Sequence, residues 1–107
     1  WMASFPWQLK RHVRNTIGHT KVVPGLYREM DYPDVASMAM PKPVLVINGS
    51  RDGLFHQEGV MVSFQKLHDC YQKAGAGDRI RTSLYDTPHE FNLEMQKEAW
   101  DWLKRWV

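Results

Sequence analysis

The sequence predicts a mixed α/β fold built around two parallel strands, and three observations support this. Residues 44–47 form an uninterrupted apolar run, which is typical of a strand covered on both faces. Residues 80–85 alternate in polarity, which indicates a second strand near a sheet edge. Residues 57–75 have a helical pattern, and a connection of this length favours a right-handed crossover between parallel strands.

Residues 1–42 are predicted to be a lead-in to the first strand. Within residues 1–19 a helix is predicted, capped by Ser4 and stopping at Gly18, because apolar side chains recur at i, i+4 and i+8 in Leu9, Val13 and Ile17. We interpret the basic residues among them as a solvated face rather than a membrane surface. Prolines interrupt residues 20–42, where we expect irregular chain with a short helical turn at 34–39.

The two later helices are predicted from stripes of apolar side chains. The helix over 57–75 has the stripe Val60, Phe64, Leu67, Tyr71 and Ala74. The last helix, over 90–106, places on one face Phe91, Met95, Ala99, Trp102, Leu103 and Trp106. Leu93 and Trp100 lie roughly opposite, which indicates a second surface that is also covered.

The composition excludes several classes of protein. The chain has 107 residues, enough for one domain, and its net charge of +2 is spread among interspersed acids and bases, which gives no case for nucleic acid. No apolar run approaches the roughly 20 residues needed to span a bilayer. Cys70 is the one cysteine, which excludes an internal disulfide and slightly favours a reducing compartment such as the cytoplasm. No metal or cofactor is predicted, because His12, His19 and His68 lack ligand spacing.

Two strands are too few for a stable sheet of this kind, since a continuous apolar strand needs neighbours on both edges and layers on both faces. The chain also begins at Trp1 rather than at a methionine. We therefore expect residues 1–107 to be a single C-terminal segment of a longer domain, with the remaining strands upstream. The open edge and apolar surface predict self-association or association with the missing N-terminal part.

Asp52 and His89 are the candidate site residues, because each follows the carboxyl end of a predicted strand. In open α/β sheets the chemistry gathers at that edge, so we expect these two side chains to lie together although they are 37 positions apart. Alternatives remain open from the residues alone. Asp52 is also a plausible turn former, His89 a plausible cap of the last helix, and Asp86 a competing partner for His89.

The stretch PKPVLVINGSRDGLF followed by YDTPHEFNLEMQKEAWDWLKRWV resembles the C-terminal third of an α/β-hydrolase, closest to the dienelactone hydrolase and acetyl xylan esterase branch. The resemblance implies a partial α/β-hydrolase fold: the last two parallel strands with flanking helices, in a three-layer α/β/α fragment. It also implies that Asp52 is the acid and His89 the base of a catalytic triad. The implied substrates are small esters or acetylated sugars.

The chain departs from this family at the nucleophile. None of the five serines, Ser4, Ser37, Ser50, Ser63 and Ser83, lies in the G-x-S-x-G pattern of the family. We therefore expect the nucleophile upstream and the chain alone to be inactive. His56 stands where the family often has proline, and we interpret it as a rim residue. The alternative is a non-catalytic α/β binding or scaffold module in which Asp52 and His89 are structural, and a wide separation of their side chains would favour it. A flavodoxin-like domain is disfavoured because no Gly-rich phosphate loop is present.

Overall fold

The computed structural model describes residues 1–5 and 23–107, which form a mixed α/β unit. Its regular elements are helix α1 (Tyr32–Ser37), strand β1 (Val44–Gly49), helix α2 (Gln57–Lys73), strand β2 (Ile80–Tyr85) and helix α3 (Leu93–Trp106). Short 3-10 helices occupy Leu26–Arg28 and Gly77–Arg79. The predicted stripe of Leu9, Val13 and Ile17 lies outside the described residues.

The sheet of the described residues has two strands, β1 and β2, and they are parallel as predicted. Their register pairs Val44 with Ile80 at one end and Gly49 with Tyr85 at the other. Helix α2 makes the connection between them, so the unit is strand, helix, strand. Because the two strands end level with each other, the loops that follow Gly49 and Tyr85 leave the sheet side by side.

The main core lies between the sheet and α2. The predicted stripe is confirmed at four positions, since Val60, Phe64, Leu67 and Tyr71 are buried together with the strand residues Val46 and Ile80. The fifth position was wrong: Ala74 is exposed, and Ala76 is buried instead. The helix ends at Lys73, and Gly75 then adopts a left-handed conformation with φ of 68°, which turns the chain so that Ala76 points inward.

Helix α3 presents Met95 and Trp102 as its buried residues. It begins at Leu93, three residues later than predicted, because the Asn92 side chain accepts a hydrogen bond from the Met95 N–H at 3.0 Å and caps the helix there. Leu93 and Trp100 are exposed, so within the described chain the predicted second covered surface is not found.

Helix α1 precedes β1 and lies against α2. It is the short turn predicted at 34–39, shifted to Tyr32–Ser37 because Asp31 caps it. The Asp31 side chain accepts a hydrogen bond from the Tyr32 N–H at 2.7 Å, and the Asp34 carboxylate accepts one from the Asp31 N–H at 2.8 Å. An ion pair of 2.6 Å between Lys66 and Asp34 ties α1 to α2. Among the helices described, none is both long and apolar enough to cross a bilayer.

Candidate active site

Asp52 lies in the turn that follows β1, with its side chain completely buried. Its Oδ1 accepts a hydrogen bond of 2.8 Å from the Leu54 N–H, and its own N–H donates to the Gly49 carbonyl at 3.3 Å. These bonds are typical of an acidic side chain in a tight turn. They hold the carboxylate in one orientation and leave Oδ2 to face the neighbouring loop.

His89 lies in the loop that follows β2, and its Nδ1 is 2.8 Å from Oδ2 of Asp52. An ionised carboxylate only accepts hydrogen bonds, so the ring N–H at Nδ1 is the donor. The histidine side chain is 41% exposed, in contrast to its fully buried partner. The arrangement is a buried acid that orients an accessible imidazole, which is the geometry of a general base with its positioning carboxylate.

The open alternatives for these residues are decided by their contacts. Asp86 pairs with Arg51 rather than with His89, and its side chain is 85% exposed. The cap of α3 is Asn92 and not His89. Asp52 does stabilise the turn, through the bond from Leu54 to Oδ1. This does not exclude pairing with His89, because the imidazole bonds to the other oxygen, Oδ2. The wide separation that would have favoured a module with structural Asp52 and His89 is not found, because the two side chains are hydrogen-bonded.

The aromatic rings of Trp1 and Phe55 pack against the imidazole of His89. The Trp1 ring is 5.0 Å from the imidazole between centroids and tilted by 40°, and the Phe55 ring is 5.9 Å away and nearly parallel. Trp1 also meets Phe91 edge to face at 5.8 Å. These rings limit where the imidazole can move. Phe55 was detectable from its place three residues after Asp52, whereas nothing in the sequence connects Trp1 to His89.

Gly49, the last residue of β1, lies where the histidine loop crosses the acid loop. A Cβ atom at this position would lie 2.4 Å from the Thr87 carbonyl oxygen and 2.6 Å from that of Pro88. The close approach therefore requires a residue without a side chain. This role was not predicted from the sequence, because it arises only where the histidine loop approaches Gly49.

The remaining histidines and the cysteine do not join this pair. His56 forms an ion pair with Glu58 at the start of α2, and His68 shares a hydrogen bond of 3.0 Å with the Thr82 hydroxyl. Cys70 lies half-buried on α2. Within residues 1–5 and 23–107, no three histidine, cysteine or acidic side chains cluster as metal ligands would. His12 and His19 lie outside the described residues.

A second polar cluster, on the face of β2 toward α3, is structural. The nearly buried carboxylate of Glu98 accepts from Ser83 Oγ at 2.6 Å, Tyr85 OH at 2.9 Å and Arg81 Nε at 2.7 Å. Burial and the bond to Glu98 raise the pKa of the Tyr85 hydroxyl. Both carboxylate oxygens are occupied, so the cluster joins strand to helix and offers no free group for chemistry.

Comparison of the chain with protein family models, curated proteins and solved structures gave no match. The geometry of Asp52 and His89 is therefore the basis for assigning a function.

Proposed function

We propose that this chain supplies the acid and the base of a serine ester hydrolase of the α/β-hydrolase type, of the dienelactone hydrolase and acetyl xylan esterase branch. One observation carries the proposal: the 2.8 Å hydrogen bond between a fully buried carboxylate and an exposed imidazole. The chain order supports it as well, since strand, Asp52, helix, strand and His89 is the order of acid and base that the resemblance implies.

In the proposed reaction His89 acts as general base and then as general acid. Its Nε2 accepts the proton of a serine hydroxyl as the oxygen attacks the ester carbonyl, and the imidazolium returns that proton to the departing alcohol. Water then attacks the acyl-serine with the same proton transfers, releasing the acid and the free serine. Asp52 fixes the tautomer with the proton on Nδ1 and stabilises the imidazolium.

The nucleophile is proposed to lie outside the described residues. Four serine hydroxyls already donate elsewhere: Ser37 to the Asp34 carbonyl, Ser50 to Asp86, Ser63 to the Gly59 carbonyl and Ser83 to Glu98. Ser4 is buried. Ser50 directly follows β1, but α2 begins only at Gln57, so Ser50 does not lie on the sharp strand-to-helix turn that a nucleophile elbow requires. None of the other four serines directly follows a described strand. The 107-residue chain alone is therefore proposed to be inactive.

The second edge of β1 is proposed to pair with further strands of the same hydrolase domain, or with a second copy when the chain is alone. Among the described residues β1 pairs only with β2. Two apolar pockets between β1 and α3 share Leu45 and Ala99, and we call them together the groove. One is also lined by Leu103 and Trp106, and the other by Ile47, Phe91 and Trp1. Small esters or acetylated sugars are the proposed substrates, and neither nucleic acid nor membrane is a proposed partner.

Hydrolysis of a chromogenic acetate by the natural protein that carries this chain tests the catalytic assignment. Asp52→Asn preserves the shape of the side chain but not its charge, and it should lower kcat by up to about 10⁴-fold, as loss of the correct tautomer does in a serine protease. His89→Ala should be at least as severe. Asp101→Asn, on α3 and paired with Lys97, is the matched control and should retain most of the activity. Nearly wild-type rates for both Asp52→Asn and His89→Ala would contradict the assignment.

Light scattering of the 107-residue chain tests whether the chain associates through the groove and the second edge of β1. The chain should form dimers or larger species, and Leu103→Glu, in the groove, should shift them toward monomer because it places a charge on the apolar surface. Leu93→Glu lies on the exposed side of the same helix and serves as control. A stable monomer of the unmodified chain would argue against this surface as an interface.

A further inference from the structure

The loops that carry Asp52 and His89 are bonded to each other just beyond the strand ends. The Ser50 N–H donates to the Tyr85 carbonyl at 2.7 Å, and the Arg51 N–H donates to the Thr87 carbonyl at 3.1 Å. These two bonds continue the pairing of β1 and β2 past the register of Gly49 and Tyr85. These hydrogen bonds hold the backbones of the two loops against each other.

Side chains reinforce this contact through Asp86. Arg51 Nε donates to Asp86 Oδ1 at 2.8 Å, and Nη2 of the same guanidinium donates to the Asp86 backbone carbonyl at 2.8 Å. Ser50 Oγ donates to Asp86 Oδ1 at 3.3 Å. The guanidinium therefore binds both the side chain and the main chain of one residue, which fixes orientation better than a single contact.

The position of this contact in the chain gives it a role. Arg51 immediately precedes Asp52, and Asp86 lies three residues before His89. A displacement of either loop at this contact is passed directly to the hydrogen bond between acid and base. Arg51 also binds the Asp86 carboxylate, which the sequence left open as a competing partner for His89, while the imidazole is bonded to Asp52.

We propose that Arg51 and Asp86 are positioning residues, which set the separation and orientation of Asp52 and His89. The catalytic meaning of this role rests on the proposed function, but the positioning itself does not. The side chains of Arg51 and Asp86 are 63% and 85% exposed, and exposed ion pairs contribute little to global stability. The effect is therefore local, on the geometry of the pair.

A matched ion pair elsewhere in the chain separates this role from a general surface effect. Lys97 and Asp101 on α3 are 2.7 Å apart and similarly exposed, at 78% and 55%. They lie on successive turns of one helix and touch neither loop. Loss of either ion pair should change the free energy of unfolding by a similar small amount. Only loss of the Arg51–Asp86 pair should change the tautomer of the His89 ring.

Nitrogen-15 NMR of the His89 ring in the full 107-residue chain provides the measurement, because the hydrogen bond to Asp52 selects the tautomer with the proton on Nδ1. Arg51→Gln and Asp86→Asn should each lower the ratio of Nδ1- to Nε2-protonated rings about two- to fivefold, the size expected from an exposed pair. Arg51→Lys keeps the charge but not the two-atom contact and should fall between. Lys97→Gln should leave the ratio unchanged.

Urea unfolding of each variant accompanies the spectra. An unchanged ratio in both Arg51→Gln and Asp86→Asn would overturn the proposal, and so would an equal loss in Lys97→Gln. If one variant fails to fold, Arg51→Lys decides by the same ratio. Because the tautomer ratio needs no substrate, the two proposals can fail separately. If the natural protein that carries this chain hydrolyses no ester while the chain shows these shifts, the proposed function is refuted and the positioning role stands.

Discussion

Replacing Gly49 by alanine is the sharpest structural test of how the acid and the base are brought together. The new Cβ would lie 2.4 Å from the Thr87 carbonyl oxygen, whereas ordinary contact begins near 3.4 Å. The histidine loop must therefore move by about 1 Å to remove the overlap. The two nearest atoms are the backbone carbonyl oxygens of Thr87 and Pro88, so rotation of a side chain cannot remove the overlap.

A displacement of about 1 Å is large for the pair beyond the crossing. The bond from His89 to Asp52 is 2.8 Å, and hydrogen bonds of this type weaken beyond about 3.2 Å. In an active enzyme a misplacement of this size costs about 100-fold in rate. We also expect the free energy of unfolding to fall by about 1–3 kcal/mol, as overpacking does in well-packed sites.

The assay is urea unfolding of Gly49→Ala followed by circular dichroism, together with NMR of the His89 ring. Gly53→Ala is the control, because a Cβ at Gly53 meets nothing within 4 Å and the residue lies in the same loop. Gly49→Ala should lose stability and the Nδ1-bonded ring signal, and Gly53→Ala should lose neither. Indistinguishable behaviour of the two variants would refute the crossing as the determinant of the pair.

Three further variants test the elements that support the site, each by urea unfolding. Asn92→Ala removes the cap on the Met95 N–H and should lower the free energy of unfolding by about 1 kcal/mol. Leu67→Ala empties a fully buried position and should cost about 2–5 kcal/mol. The bond from Lys66 lowers the pKa of the Asp34 carboxyl below its ordinary value. The ion pair therefore contributes at most about 1 kcal/mol to the free energy of unfolding. This contribution is complete at pH values above the ordinary pKa of an aspartate and is lost as the pH falls through the lower pKa of folded Asp34. Asp34→Asn should lack this pH dependence.

The order of elements was predictable because each depends on local pattern. The apolar run at residues 44–47 and the alternation at 80–85 each mark a strand, and the stripe on α2 marks the crossover. The meeting of Asp52 and His89 followed from this order, since parallel strands place their carboxyl ends at one edge. The assignment to a hydrolase stays a prediction.

Other features could not be read from the sequence, because they depend on three-dimensional register. The start of α3 is set by a side-chain cap at Asn92, which competes with equally plausible starts nearby. The contact of Trp1 with His89 joins residues that are 88 positions apart in the sequence. The need for glycine at position 49 arises only because the histidine loop crosses there. Pattern identifies elements, whereas packing decides their ends and contacts.

The unequal exposure of the pair determines how it communicates with water. The Asp52 carboxylate has no exposed surface, and its two oxygens are occupied by the Leu54 amide and by His89. In the described part of the chain, exchange of a proton with bulk solvent therefore proceeds through the imidazole. Reagents that couple to carboxylates should therefore modify Asp86, which is exposed, and not Asp52, which is buried. Of the acid and the base, only His89 can contact molecules that arrive from solvent.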